Sequence, residues 1–321
     1  MGLDTLHSLQ PIEGYLAVPG GHTLHYEIHG KANPTVLMLH GGPGGGIQRG
    51  PIHLYTPYFR VITFDQRGCG KSTPFGSLEN NTTWDIVEDI ERLRKHLKVE
   101  NWIVTGGSWG TTLALLYAQK YPRVVKGLIL RSVCLIDAAS NEWFYEKGGA
   151  SEVYPEAWSY FVSVLPERLR KGSWREILAY YQKKLQGPQQ MKYARAWWAW
   201  EQATSFLHPV KDTTPDSEIL SLALIENYYF ANDCWMKEGQ ILRDAHKLKA
   251  IPIVAIHGRY DMVCPIEGSW SLLHALPHTR VFMVQDAGHA GCEKGTMAAH
   301  KKAVKMFAST SRRSTRRKEP Y

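Results

Sequence analysis

Short apolar runs rich in β-branched residues alternate along much of this chain with longer amphipathic stretches. Runs near 23–29, 35–40, 60–65, 102–106, 127–132, 251–257 and 280–285 predict strands. Helical patterns stand between them. In the stretch 84–98, for example, Ile86, Ile90, Leu93 and Leu97 fall on one face. Alternation of this kind predicts an α/β fold with a mostly parallel central sheet and helices on both faces. Right-handed crossovers then gather the C-terminal ends of the strands along one edge. No internal repeat is visible.

The alternation stops between residues 137 and 245. That stretch is helical and aromatic, and it holds Trp143, Trp158, Trp174, Trp197, Trp198, Trp200 and Trp235, most of the 11 tryptophans in the chain. An insertion at this point predicts a helical cap over the sheet edge, where it would govern access to a site. The expected organisation is therefore a core in two parts, 1–136 and 246–311, a cap at 137–245, and a basic, disordered tail at 312–321.

Candidate chemistry sits at the predicted strand ends. Gly106-Gly107-Ser108-Trp109-Gly110 lies between the apolar run 102–105 and the helix-prone run 111–119. A serine on a strand-to-helix turn flanked by glycines is the pattern of a nucleophile elbow, because backbone must pass close to the serine where a Cβ would clash. The glycine-rich loop His40-Gly41-Gly42-Pro43-Gly44-Gly45-Gly46 follows an earlier strand. It can supply an oxyanion donor, with Gly42 N–H the candidate and Trp109 N–H the second. No lysine stands in Walker spacing, which disfavours phosphate binding.

Two later strands end in Gly258-Arg259-Tyr260-Asp261 and Asp286-Ala287-Gly288-His289. The order Ser108, Asp261, His289 matches the Ser…Asp…His order of a hydrolase triad, with His289 as general base and Asp261 holding its tautomer. Asp286 and Asp65 are alternative strand-end acids. The first lies too near His289 in the chain, and the second precedes the serine.

Composition narrows the class. A chain of 321 residues with 44% hydrophobic content can bury a large core. No apolar stretch is long enough to span a membrane, and the first ten residues lack the pattern of a secretory signal, so a cytoplasmic protein is expected. The five cysteines are scattered without a Cys-x-x-Cys pair, which suggests neither zinc nor a disulfide framework. Half of the net charge of +8 comes from the stretch 312–319. The remainder offers no nucleic-acid module. No metal or organic cofactor is expected, and oligomeric state is not legible.

With these residues in view, the chain resembles the proline iminopeptidases (prolyl aminopeptidases), which are capped α/β-hydrolases. The resemblance runs from about residue 10 to about residue 308. It rests on His40-Gly41-Gly42-Pro43-Gly44-Gly45, on Asp65-Gln66-Arg67-Gly68-Cys69-Gly70-Lys71-Ser72, and on the serine, aspartate and histidine segments above. Within the cap it includes Glu142-Trp143-Phe144-Tyr145, Trp197-Trp198-Ala199-Trp200-Glu201 and Ile225-Glu226-Asn227-Tyr228-Tyr229-Phe230.

The resemblance implies a serine aminopeptidase that removes N-terminal proline from small peptides. It implies that Glu201 and Glu226 receive the substrate's free amino group, and that Tyr145 and Phe230 line an apolar proline pocket. Taken alone, Glu201 reads as a surface glutamate and Glu226 as an ion-pair partner. A capped esterase or amidase without a free-amine requirement shares the same triad. One departure stands out. The family reads Arg-Gly-Ile-Phe where this chain has Arg131-Ser132-Val133-Cys134, so Cys134 replaces a pocket phenyl ring. A looser pocket, tolerance of hydroxyproline or alanine-type N-termini, and thiol-reagent sensitivity are the expected consequences.

Overall fold

The computed structural model describes residues 10–316, with side chains as far as Ser309. Eight strands form one sheet: β1 (Ile12–Val18), β2 (His22–His29), β3 (Thr35–Leu39), β4 (Arg60–Phe64), β5 (Trp102–Gly107), β6 (Val125–Arg131), β7 (Ile253–Gly258) and β8 (Arg280–Val284). Their spatial order is β1-β2-β4-β3-β5-β6-β7-β8. Pairing is parallel from β4 through β8, and β2 alone runs against its neighbours β1 and β4.

The central strands are apolar along their whole length because both faces are covered. Leu37, Ile62, Val104 and Leu128 enter one core, and their chain neighbours Val36, Val61, Ile103 and Ile129 enter the other. Short α1 (Ile52–Tyr55) and the C-terminal helix, α12 below, supply Tyr55, Val304 and Phe307 to the smaller core. The larger core takes α2 (Thr83–His96) and α3 (Trp109–Lys120). In α2 a capping box, Thr82 with Asp85, starts the helix, and Ile86, Ile90 and Leu93 are buried as the periodicity predicts.

Between β6 and β7 the described chain is helical: α4 (Ala138–Tyr145), α5 (Ala150–Val153), α6 (Pro155–Ser163), α7 (Trp174–Leu185), α8 (Gln190–Ser205), α9 (Asp216–Ala231) and α10 (Gln240–Arg243), with short 3-10 turns. Trp158, Trp174, Trp197 and Trp200 are buried there, and Trp143, Trp198 and Trp235 pack against the same core. This insertion is tied to the sheet's helices by Thr83 Oγ1 donating to the Cys234 carbonyl at 2.6 Å and Trp84 Nε1 to that of Trp235 at 2.8 Å. Then come α11 (Glu267–Ala275) and α12 (Lys294–Arg316). The backbone is thus helical as far as Arg316, into the segment expected to be a disordered tail. Residues 317–321 lie outside the described residues.

Strand β1 carries no strong sequence signal. It is an edge strand whose Ile12 and Tyr15 face solvent, so its apolar residues do not mark a buried face. No described helix is long and apolar enough to cross a membrane.

Candidate active site

Strand β5 ends at Gly107 and α3 begins at Trp109, leaving Ser108 on the corner with φ +55° and ψ −128°. A non-glycine residue in this region is strained and needs its surroundings to hold it there. The flanking glycines are there for contact rather than for dihedral freedom. A Cβ on Gly106 would lie 2.3 Å from the Gly110 carbonyl oxygen, and one on Gly110 would lie 2.5 Å from that of Leu39. Ser108 N–H donates to the Arg131 carbonyl at 2.9 Å, which removes it from any other role. Trp109 N–H opens the helix, where no intrahelical carbonyl can reach it.

The loop after β3 runs beside the corner. A Cβ on Gly41 would meet Ser108 Cβ at 3.4 Å. His40 locks that loop. Its Nδ1 donates to the Gly41 carbonyl at 2.9 Å, while its Nε2 accepts from Gln66 N–H at 3.0 Å. Burial keeps this imidazole neutral, pushing its pKa down. Gln66 then accepts from Trp109 Nε1 at 3.0 Å, so the two loops that carry Gly42 and Trp109 are cross-linked.

Asp261 follows β7 and His289 follows β8. His289 Nδ1 lies 2.9 Å from Asp261 Oδ1 and 3.0 Å from Oδ2. Oδ1 also accepts the N–H groups of Val263 (3.1 Å) and Cys264 (2.9 Å). Burial opposes the Asp261 charge, but His289 and His257 outweigh it and hold the carboxyl far below its usual range. His257 is fully buried, and no motif in the sequence marks it. Its Nε2 donates to the Cys264 carbonyl at 2.7 Å and stands 3.4 Å from Asp261 Oδ2. Among the described residues no hydrogen bond joins Ser108 Oγ to His289. The hydroxyl contacts Cys264 Sγ at 4.0 Å. The alternative acid Asp65 is engaged elsewhere, with His25 Nδ1 at 2.8 Å and the N–H of Lys71 at 3.0 Å.

The loop bearing His289 is held from the insertion as well. Ala290 N–H donates to the Ser205 carbonyl at 2.8 Å. Glu293 accepts Leu207 N–H on one oxygen at 2.9 Å and Gly288 N–H on the other at 2.6 Å.

A single cavity brings the remaining candidates together: Gly42, Ser108, Cys134, Tyr145, Glu201, Glu226 and Phe230 all line it. Ile136, Phe144, Val263 and Cys264 add apolar wall that sequence reading did not single out, although Val263 and Cys264 follow directly on the Asp261 motif. Tyr145 stacks on Trp197 at 5.0 Å and approaches Phe230 at 5.7 Å. Glu201 on α8 receives the Tyr145 hydroxyl at 3.4 Å, and Glu226 on α9 receives Trp197 Nε1 at 2.7 Å. Both glutamates are buried. Among the described residues neither forms an ion pair. Burial raises Glu226 to about 8; burial and then the Glu226 charge hold Glu201 well above the usual carboxylate range.

The α/β hydrolase fold family matches residues 34–296. A proline iminopeptidase of Arabidopsis thaliana is 43% identical over 302 residues, 90% of this chain and 78% of the relative. That of Xanthomonas citri is 41% identical over 92% of this chain and 96% of its own. The chain belongs to the proline iminopeptidase family. Among solved structures, a haloalkane dehalogenase loop variant from Bradyrhizobium elkanii superposes with a TM-score of 0.64 at 20% identity, over 96% of this chain and all of that one. An enol-lactonase from Burkholderia xenovorans gives 0.62 at 18%, covering 92% and 99%. At these identities the likeness extends to the fold alone, and the family assignment rests on the sequence relatives.

Proposed function

We propose that this chain is a serine aminopeptidase that releases N-terminal proline from peptides through a prolyl-enzyme intermediate. The observation that carries the reading is the pair Glu201 and Glu226. Two buried carboxyl groups without a cationic partner share one apolar cavity with Ser108. Uncompensated buried carboxylates are costly. A protonated imino nitrogen entering the cavity supplies the missing positive charge and two N–H donors. An acylated N-terminus supplies neither, so the pair selects a free amine. Tyr145, Phe230 and the apolar wall accept the pyrrolidine ring, and Cys134 leaves room beside it. The helical insertion serves as the cap that carries these groups.

Hydrolysis proceeds in two steps. In the reaction Ser108 Oγ turns from Cys264 to His289 Nε2, since such a contact often tightens only when substrate binds. Ser108 attacks the prolyl carbonyl, and His289 takes its proton and gives it to the leaving peptide amine. The oxyanion is held by Gly42 and Trp109 N–H groups. Water then attacks the ester with His289 again as base, freeing proline and restoring Ser108. Asp261 keeps the imidazole in the Nδ1–H tautomer throughout.

The test compares kcat/KM on proline anilide, N-acetylproline anilide and a short acyl ester, with Ser108→Ala as the blank. Turnover of the free-amine anilide, lost on acetylation, is the expected result. Equal turnover of the blocked anilide, or of the ester alone, would replace the aminopeptidase with a capped esterase or amidase.

A further inference from the structure

Arg131 is the last residue of β6, and the mechanism above makes no use of its side chain. The guanidinium reaches across two glycines. A Cβ on Gly107 would sit 2.1 Å from its Nη2, and a Cβ on Gly291 would sit 3.0 Å from its Nε. Gly107 is the residue before the candidate nucleophile, and Gly291 is two residues past His289. Nη1 donates to the His289 carbonyl at 2.5 Å and to Ser132 Oγ at 3.2 Å. The backbone of the same residue accepts Ser108 N–H at 2.9 Å. One residue therefore touches the turn of the serine and the loop of the histidine.

Among the described residues no carboxylate pairs with this guanidinium within 4.0 Å. Burial opposes its charge, and the most favourable long-range partner is Asp261. Keeping a cation in such a place is expensive unless its hydrogen bonds are strong and well placed. Its bond to the His289 carbonyl has a charged donor, about twice as strong as a neutral one. A neutral apolar side chain of similar length would fill the space under Gly107 and Gly291 without that cost, but it could not hold the carbonyl.

We propose that Arg131 is a positioning residue that clamps the His289 loop to the Ser108 elbow and so fixes the imidazole for proton transfer. This rests on Ser108 and His289 acting as nucleophile and base in the reading above, but not on the choice of proline as substrate. The clamp acts on both chemical steps and on neither wall of the substrate cavity. Its loss falls on kcat and spares KM, because Glu201, Glu226 and the ring pocket are untouched. Misplacement of a catalytic group by about 1 Å costs on the order of 100-fold in rate.

Three variants test it: Arg131→Lys, Arg131→Met and Arg131→Ala, the last assayed with and without added guanidinium ion. The readouts are kcat and KM on proline anilide, and the rate at which a fluorophosphonate labels Ser108. Expected are a 10- to 100-fold fall in kcat for Arg131→Met with KM within about twofold, and slowed labelling of Ser108. Lysine should restore part of the rate, and guanidinium should restore part in Arg131→Ala. An unchanged kcat in Arg131→Met overturns the proposal. So does a loss that neither lysine nor guanidinium reverses and that follows a fall in melting temperature, since that marks a purely structural role. If the wild-type chain turns over an ester and not the anilide, the aminopeptidase reading fails. The same comparison on the ester then still decides the role of Arg131.

Discussion

Glu201 and Glu226 give this protein a pH response of unusual sign for carboxyl groups. In the unfolded chain Glu226 titrates near 4.5, and in the empty cavity near 8. The folded state therefore holds a proton that the unfolded state has released across that window, and stability declines as pH rises from 4.5 to 8. Denaturant midpoints measured over this range should fall for the wild-type chain and flatten for Glu201→Gln/Glu226→Gln. The double variant should be the more stable protein at the alkaline end and inactive on proline anilide. Binding of prolinamide to Ser108→Ala should release protons, seen as a calorimetric enthalpy that changes with the buffer.

Cys134 makes a prediction in the same cavity. Cys134→Phe should narrow the accepted N-termini, lowering kcat/KM for hydroxyproline and alanine anilides relative to proline by about 10-fold or more, the worth of about one methylene of apolar contact. An unchanged ratio would show that Cys134 does not set selectivity. At this scale the sequence reveals unevenly. Ser108, Asp261 and His289 stand out because each follows an apolar run within a few residues, with a glycine close by in the chain. Glu201 and Glu226 emerge only through resemblance, since nothing local separates a buried glutamate on a helix from an exposed one. His257 escapes notice because a histidine inside an apolar strand carries no motif of its own, and Arg131 because its partner, the His289 carbonyl, lies far along the chain.

The strand–turn–helix corner of β5 and α3 shows what the glycines are for. At Gly110 the obstacle is the Leu39 carbonyl of the neighbouring strand end, which is backbone and cannot rotate away. Gly110→Ala should therefore cost about 1–3 kcal/mol of stability and lower turnover through the displaced Trp109 N–H. Thr82→Ala gives a contrast. It removes the capping box of α2, none of whose residues lines the cavity, and should cost about 1 kcal/mol while leaving kcat/KM per folded molecule unchanged so long as Thr83 and Trp84 keep their contacts with the insertion. Melting curves with active-site titration separate the two cases. The central parallel strands are legible to within one or two residues of their ends because apolar runs buried on both faces are hard to mistake. β1 was missed because an edge strand exposed on most of its length lacks such a run.

On the scale of the whole molecule, the sheet gathers Ser108, Asp261 and His289 at the ends of β5, β7 and β8, while α4, α8 and α9 bring Tyr145, Glu201, Glu226 and Phe230 to the same cavity. Neither half forms the cavity alone. The break in strand–helix alternation marked the insertion in the sequence, but its orientation over Ser108 depends on tertiary contacts such as those of Thr83 and Trp84. Glu293 joins the halves most closely, because one carboxylate holds Leu207 N–H of the insertion and Gly288 N–H beside His289. Glu293→Ala should depress kcat more than it raises KM, which steady-state kinetics on proline anilide would read directly.

That shared carboxylate ties the chain after α8 to the loop that aims the imidazole, so a displacement of Leu207 is felt at Gly288, one residue from His289.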